Sequence, residues 1–145
     1  MLYSFLEKNK KYLIHLPLII YWLILFVLTS LPASVAIITE FGDKISHFGA
    51  YGLLSVFLYL TMYFQDKFLL LKKYPGIFTI IIASFYGMLD EIHQIYVPGR
   101  FAEVLDWLAD FTGSVIAVLI TKYLLEYIKR TEFEKSKSNT GTFKK

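Results

Sequence analysis

Asp43, His47 and Tyr51 recur at four-residue spacing, as do Asp106 and Asp110, while Glu91 and Gln94 are three apart. Those are the spacings that bring side chains onto one face of a helix. Lys44 and Arg100 add cations close by in sequence. A histidine beside carboxylates can exchange a proton near neutral pH, and a guanidinium can hold a carboxylate or phosphate through paired hydrogen bonds. The residue types therefore point to recognition of a charged or polar group, or to acid–base chemistry with His47, Asp106 and Asp110 as candidate catalytic residues. A structural use competes: Asp43 and Asp106 at helix starts complement the helix dipole, and intramembrane polar groups often pair to hold helices together. Asp110 fits that use less well, because like charges one turn apart repel by about 0.2–0.5 kcal/mol on an exposed helix. Arg100, Lys44, a metal ion or protonation of one acid would compensate.

Other chemistries lack their residues. The chain has no cysteine, which removes disulfides, thiolate ligands and cysteine nucleophiles. It has no H-E-x-x-H spacing, no glycine-rich phosphate loop and no G-x-S-x-G elbow, so no metal and no cofactor are assigned. Ser46 adjoins His47, but neighbours on a helix point apart and do not make a nucleophile–base pair. His15, near one end of an apolar stretch, and His93, off the Glu91 stripe, are left outside the site.

The elements that position these residues are apolar. Of 145 residues, 56% are hydrophobic and the mean hydropathy is +0.52. Four stretches, from Tyr12 to Leu31, Ile45 to Phe64, Pro75 to Tyr96 and Trp107 to Tyr127, approach the roughly 20 residues that cross hydrocarbon. The expected architecture is an all-α integral membrane bundle of four transmembrane helices, over 1–130, followed by a polar, disordered cytoplasmic tail over 131–145. The first stretch is longer than a signal-peptide core and reads as an uncleaved anchor. The third has a short apolar core and a polar end, so a full span and a partly re-entrant segment both remain open. Net charge is +3, but it resides in the lysine-rich tail, which argues against a nucleic-acid-binding face.

The loops carry the charge asymmetry. The amino terminus, the 65–74 loop and the end of the fourth stretch onward hold thirteen of the fifteen Lys and Arg residues; the other side keeps Lys44 and Arg100 against seven acids. Positive loops stay cytoplasmic. Both termini are therefore expected on the cytoplasmic side of the cell membrane, and Asp43, Lys44, His47, Tyr51, Glu91, Gln94, Arg100, Asp106 and Asp110 all fall in its outer half. One convergent extracytoplasmic site and a polar network joining three helices are both consistent with that. For Arg100 the expected partners are Glu91, Asp106 and Asp110. Gly113 and Ala117 continue the Asp110 stripe, with Gly49 and Gly52 as the small residues expected to face them.

At these positions the sequence resembles the VanZ-like family, small membrane proteins named for a protein associated with resistance to the glycopeptide teicoplanin. The family pattern, D-K-x-x-H-x-x-x-Y, then E-x-x-Q, an Arg, and D-x-x-x-N-x-x-G, falls here on Asp43, Lys44, His47, Tyr51, Glu91, Gln94, Arg100, Asp106, Asp110 and Gly113. Asp110 departs from it, standing where Asn is usual, and Ala117 stands where a second Gly is common. The resemblance implies a multi-pass membrane fold and a link to the cell envelope or to antibiotic resistance, and supplies no reaction. The functional expectation is an outer polar site for an anionic or amphiphilic envelope molecule, such as a lipid-linked envelope precursor or a glycopeptide, with no nucleic-acid partner. The alternatives are a membrane enzyme on a lipid-linked substrate and a structural or partner-binding module.

Overall fold

The computed structural model describes residues 2–32 and 40–141, with side chains described over 2–32 and 42–137. Within them the chain is helical: α1 (Leu2–Lys8), a π-helical turn (Lys11–His15), α2 (Leu16–Thr29), α3 (Glu40–Phe64), α4 (Leu69–Lys73), α5 (Pro75–Gln94) and α6 (Val104–Gly141), with no strand among the described residues. Four helical segments are long and apolar enough to cross a membrane: Lys11–Thr29, Gly42–Phe64, Pro75–Gln94 and Val104–Lys137.

Local sequence explains the breaks. Pro17 has no N–H to give to the preceding turn, and it sits in the first turn of α2. The backbone just before it widens into the π-helical turn, a common way to absorb a proline inside a span. Pro75 occupies the first position of α5, where its missing N–H is no loss. α5 then runs unbroken for 20 residues, about 30 Å. That is long and apolar enough for a full span. α6 continues as helix to Gly141, into the 131–145 tail. Helix-favouring Glu and Lys residues support the extension, along with an Arg130–Glu134 ion pair at 3.1 Å and a hydrogen bond from the Tyr3 backbone N–H to Glu132. Residues 142–145 of that tail lie outside the described residues.

Polarity is distributed inside out. Ile19, Leu23, Ile77, Ile81, Phe85, Leu119 and Ile120 are exposed, whereas His47, Asp90, Glu91, Asp106 and Asp110 are buried. In water that arrangement would expose a large apolar surface and bury charge, and both are unfavourable. In hydrocarbon it is the expected one, with ionisable groups turned to the bundle interior. The core joins Leu18 and Leu25 of α2 to Tyr51, Leu54 and Leu58 of α3 and Ala83 of α5. Trp22 meets Tyr86 edge-on at 5.2 Å, and the Tyr21 hydroxyl donates to the Ala50 carbonyl at 3.0 Å.

At the end of the bundle remote from His47, Lys10 donates to the last carbonyl of α3, on Phe64, at 2.9 Å. Lys10 also pairs with Asp66, which pairs with Lys72 at 2.9 Å. Hydrogen bonds from these two lysines hold the Asp66 carboxyl down at about 2, so this loop stays clamped across ordinary pH.

The tightest helix contact is between α3 and α6. A Cβ built on Gly113 would lie 2.2 Å from the Phe48 carbonyl oxygen, and one on Gly52 would lie 3.5 Å from the Gly113 oxygen and 3.9 Å from Ala117 Cβ. Gly113, Gly52 and Ala117 thus form the close approach that small residues permit. Gly49 does not belong to it: nothing among the described residues lies within 4 Å of a Cβ there, because the helix turns it away from α6. Gly113→Ala should cost about 2 kcal/mol of stability, since backbone must move to admit the methyl. Gly49→Ala should melt no lower than the wild type. Equal melting of the two variants in detergent would refute this contact.

Candidate functional site

The polar residues are positioned by three helices and one turn. α3 presents Lys44, His47 and Tyr51, α5 presents Asp90, Glu91 and Gln94, and α6 presents Asp106 and Asp110. Between α5 and α6 the chain reverses through Val97-Pro98-Gly99-Arg100, closed by the Arg100 N–H on the Val97 carbonyl at 3.1 Å. Gly99 takes φ of 77°, as a type II turn requires at that position. Glu103 then starts α6, its carbonyl accepting from the N–H groups of Asp106 and Trp107 at 3.1 and 3.3 Å. Its own N–H donates to Glu91 Oε2 at 2.7 Å, so a carboxylate on α5 fixes where α6 begins.

His47 lies at the centre. Its Nδ1 is 3.0 Å from Asp110 Oδ1 and 3.9 Å from Glu91 Oε1, with side-chain exposures of 6%, 0% and 8% for His47, Asp110 and Glu91. When Asp110 is ionised its carboxylate only accepts, and Nδ1 is then the donor of the shorter contact. The Tyr51 ring lies parallel to the imidazole at 6.3 Å between centroids and also meets Tyr86 at 5.9 Å. Gly87 of α5 is the neighbour that admits Asp110: a Cβ there would lie 2.7 Å from Asp110 Oδ2. The Asp110 main-chain carbonyl accepts from the Ser114 hydroxyl at 2.7 Å.

Cations occupy the rim. Lys44 Nζ is 2.8 Å from Glu103 Oε2 and 3.1 Å from Asp106 Oδ1. Arg100 lies 3.8 Å from Asp43 through Nη1 and donates from Nε to the Leu31 carbonyl at 3.4 Å. The expected pairing of Arg100 with Glu91, Asp106 and Asp110 is therefore corrected. The turn aims the guanidinium toward α2 and the start of α3, and Lys44, His47 and the Glu103 N–H take those three acids instead. Gln94 Nε2 donates to Asp90 Oδ2 at 3.3 Å.

The structure thus brings Lys44, His47, Tyr51, Glu91, Asp106 and Asp110 into one connected cluster, with Asp43 and Arg100 at its edge. His15 and His93 are elsewhere: His15 contacts Thr61 at 3.3 Å, and His93 contacts Ser30 at 3.0 Å while lying against Phe26. Ser46 donates to the Gly42 carbonyl, not to an imidazole. Glu103, Asp90 and Gly87 belong to the cluster although the motif spacings do not single them out. For Glu103, the available signal is an acid three residues before Asp106 at the start of a helix.

A cleft of about 320 Å³ opens beside this cluster, walled by Met88, Ile92, Ala102, Val104 and Trp107, with Glu91 and Glu103 as its acidic members. Trp107 is held by a hydrogen bond from its indole N–H to the Ser84 carbonyl at 3.0 Å. Chemically the arrangement can donate or accept a proton at His47, hold a cation among its carboxylates, and offer hydrogen-bond acceptors at the end of an apolar slot.

A family model described as VanZ/LLP1 matches residues 6–126, which include every residue of the cluster. The chain has no match among curated proteins or among solved structures.

Proposed function

Given that the chain belongs to the VanZ/LLP1 family and is a multi-pass membrane protein, we propose that it binds an amphiphilic envelope molecule at the end of α5 and α6. One observation carries this reading: an otherwise apolar cleft has two carboxylates in its wall, Glu91 and Glu103. Such a slot suits a lipid tail along Met88, Ile92, Val104 and Trp107, with hydrogen-bond donors of a head group meeting the half-exposed Glu103 carboxylate.

Charge narrows the ligand. Among the described residues, the cations and imidazole near Asp43, Asp90, Glu91, Glu103, Asp106 and Asp110 are Lys44, Arg100 and His47, so a purely anionic head group would be repelled. A head group that combines hydroxyl or amine donors with a phosphate matches better, as in a lipid-linked wall precursor. Arg100, with its longer 3.8 Å contact to Asp43, is the cation to take the phosphate. A change in teicoplanin susceptibility would follow indirectly if the bound molecule is a wall precursor. A catalytic reading has its own support in the His47–Asp110 contact, with His47 as the proton carrier; it requires turnover of the bound lipid, abolished by His47→Ala.

The orientation proposed with this function places both termini in the cytoplasm and the cluster toward the outer face of the cell membrane, on the charge bias of the loops. The absence of cysteine makes this directly measurable. A membrane-impermeant maleimide should label Ala102→Cys in intact cells and reach Lys67→Cys only after lysis. The reverse pattern would invert the assignment.

The binding test uses the purified chain in detergent with a polyprenyl-phosphate-linked precursor and, for comparison, phosphatidylglycerol. Native mass spectrometry should show the precursor bound preferentially. Val104→Trp, which fills the cleft from an exposed position, and Arg100→Ala should each weaken binding about tenfold. Equal binding by all three proteins, monodisperse and equally helical, would end the proposal.

A further inference from the structure

We infer that His47, Glu91 and Asp110 form a site for one divalent transition-metal ion of the Zn2+ or Mn2+ class. This goes beyond amphiphile binding and does not depend on it.

The donor set and its spacing come first. One imidazole nitrogen and two carboxylate oxygens, each from a different helix, lie within 4.8 Å of one another. Their separations from His47 Nδ1 are 3.0 Å to Asp110 Oδ1 and 3.9 Å to Glu91 Oε1. A tetrahedral ion with bonds of about 2.0–2.1 Å needs donors about 3.4 Å apart. The two distances bracket that value, and the third pair, Glu91 with Asp110, lies within 4.8 Å; the ion takes the place of the His47 Nδ1 proton, which is released on binding.

The independent observation is Glu91. This residue is 6% exposed, and its buried Oε1 accepts no hydrogen bond among the described residues. Its other oxygen is already used, accepting from the Glu103 N–H at 2.7 Å, which orients the free one toward His47. A buried carboxylate oxygen with no donor is costly to leave so. A cation between Glu91 and Asp110 supplies what is missing. It also balances charge, because two carboxylates and one divalent ion sum to zero, whereas one imidazolium neutralises only one of the acids.

The second possible donor trio, Asp43, His47 and Asp106, is less suitable. Arg100 pairs with Asp43 and Lys44 with Asp106, so those acids already have cations. The mixed nitrogen and oxygen donors of the first trio favour Zn2+ or Mn2+ over Mg2+, which prefers oxygen and retained water. The supporting contacts are those expected around metal ligands: a hydrogen bond fixes Glu91, and Gly87 leaves room beside Asp110 Oδ2. Asp110 stands where the VanZ-like pattern has Asn, so this chain carries an extra anionic donor there. The sequence shows no metal spacing because the three ligands are separated by more than forty and by nineteen positions.

The test uses the full chain in detergent, with its affinity tag removed and stripped with a chelator, then dialysed against Zn2+, Mn2+ or Mg2+. Elemental analysis should find about one Zn2+ or Mn2+ per chain. Glu91→Gln and Asp110→Asn, both close in shape to the native residues, should lower affinity at least about tenfold, and Asp43→Asn should not. Added Zn2+ should raise the melting temperature of the wild type and leave Glu91→Gln unmoved. Wild-type metal content no higher than that of Glu91→Gln, both monodisperse, would overturn the inference. Metal retained in a Val104→Trp protein that no longer binds lipid would support the inference.

Discussion

A carboxylate shut away from water inside a membrane bundle has to be neutralised by the protein, and Asp110 is fully buried. Its counterpart is His47, one helix away at 3.0 Å. For that contact to form, α3 and α6 must approach nearly backbone to backbone, and the Gly113 edge against Phe48 lets them. The same geometry requires α5 to have no side chain at Gly87, beside the second oxygen of Asp110. Three helices are thus fitted around one imidazole–carboxylate contact. The small residues matter because polar groups with short reach must meet there, and breaking such a pair by removing one partner typically costs about 3–5 kcal/mol.

Around this centre the remaining charges are arranged in order of depth. Glu91 joins α5 to the first turn of α6 through the Glu103 N–H. Lys44 spans Glu103 and Asp106 nearer the rim, and Arg100 ties the turn to Asp43 and to the end of α2. The far end of the bundle uses a different device, an exposed Lys10–Asp66–Lys72 clamp. One end therefore holds buried, connected carboxylates and an apolar cleft, and the other holds solvated lysines. That asymmetry is what makes the buried end the candidate site.

Hydropathy alone makes the four spans legible, because a run of apolar residues near 20 has few other uses. The four-residue spacings likewise put His47 with Tyr51 and Asp106 with Asp110 on shared faces. What spacing does not convey is how the faces meet. Arg100 had three acids within plausible reach, and its partner was decided by a turn at Gly99 that directs it to Asp43. Gly49 and Gly52 are equivalent by composition, but helix rotation puts Gly52 against Gly113 and turns Gly49 outward. The helical extension of α6 is supported by a neighbour, Tyr3 beside Glu132, that is distant in the chain.

The central claim is that His47 and Asp110 act as one unit across α3 and α6. A double-mutant cycle measures this directly: unfolding free energies in mixed micelles for wild type, His47→Ala, Asp110→Ala and the double variant. If the pair is coupled, each single variant loses about 3 kcal/mol and the double variant loses little more than either. If the two losses simply add, His47 and Asp110 are energetically independent, and an account built on their pairing is wrong.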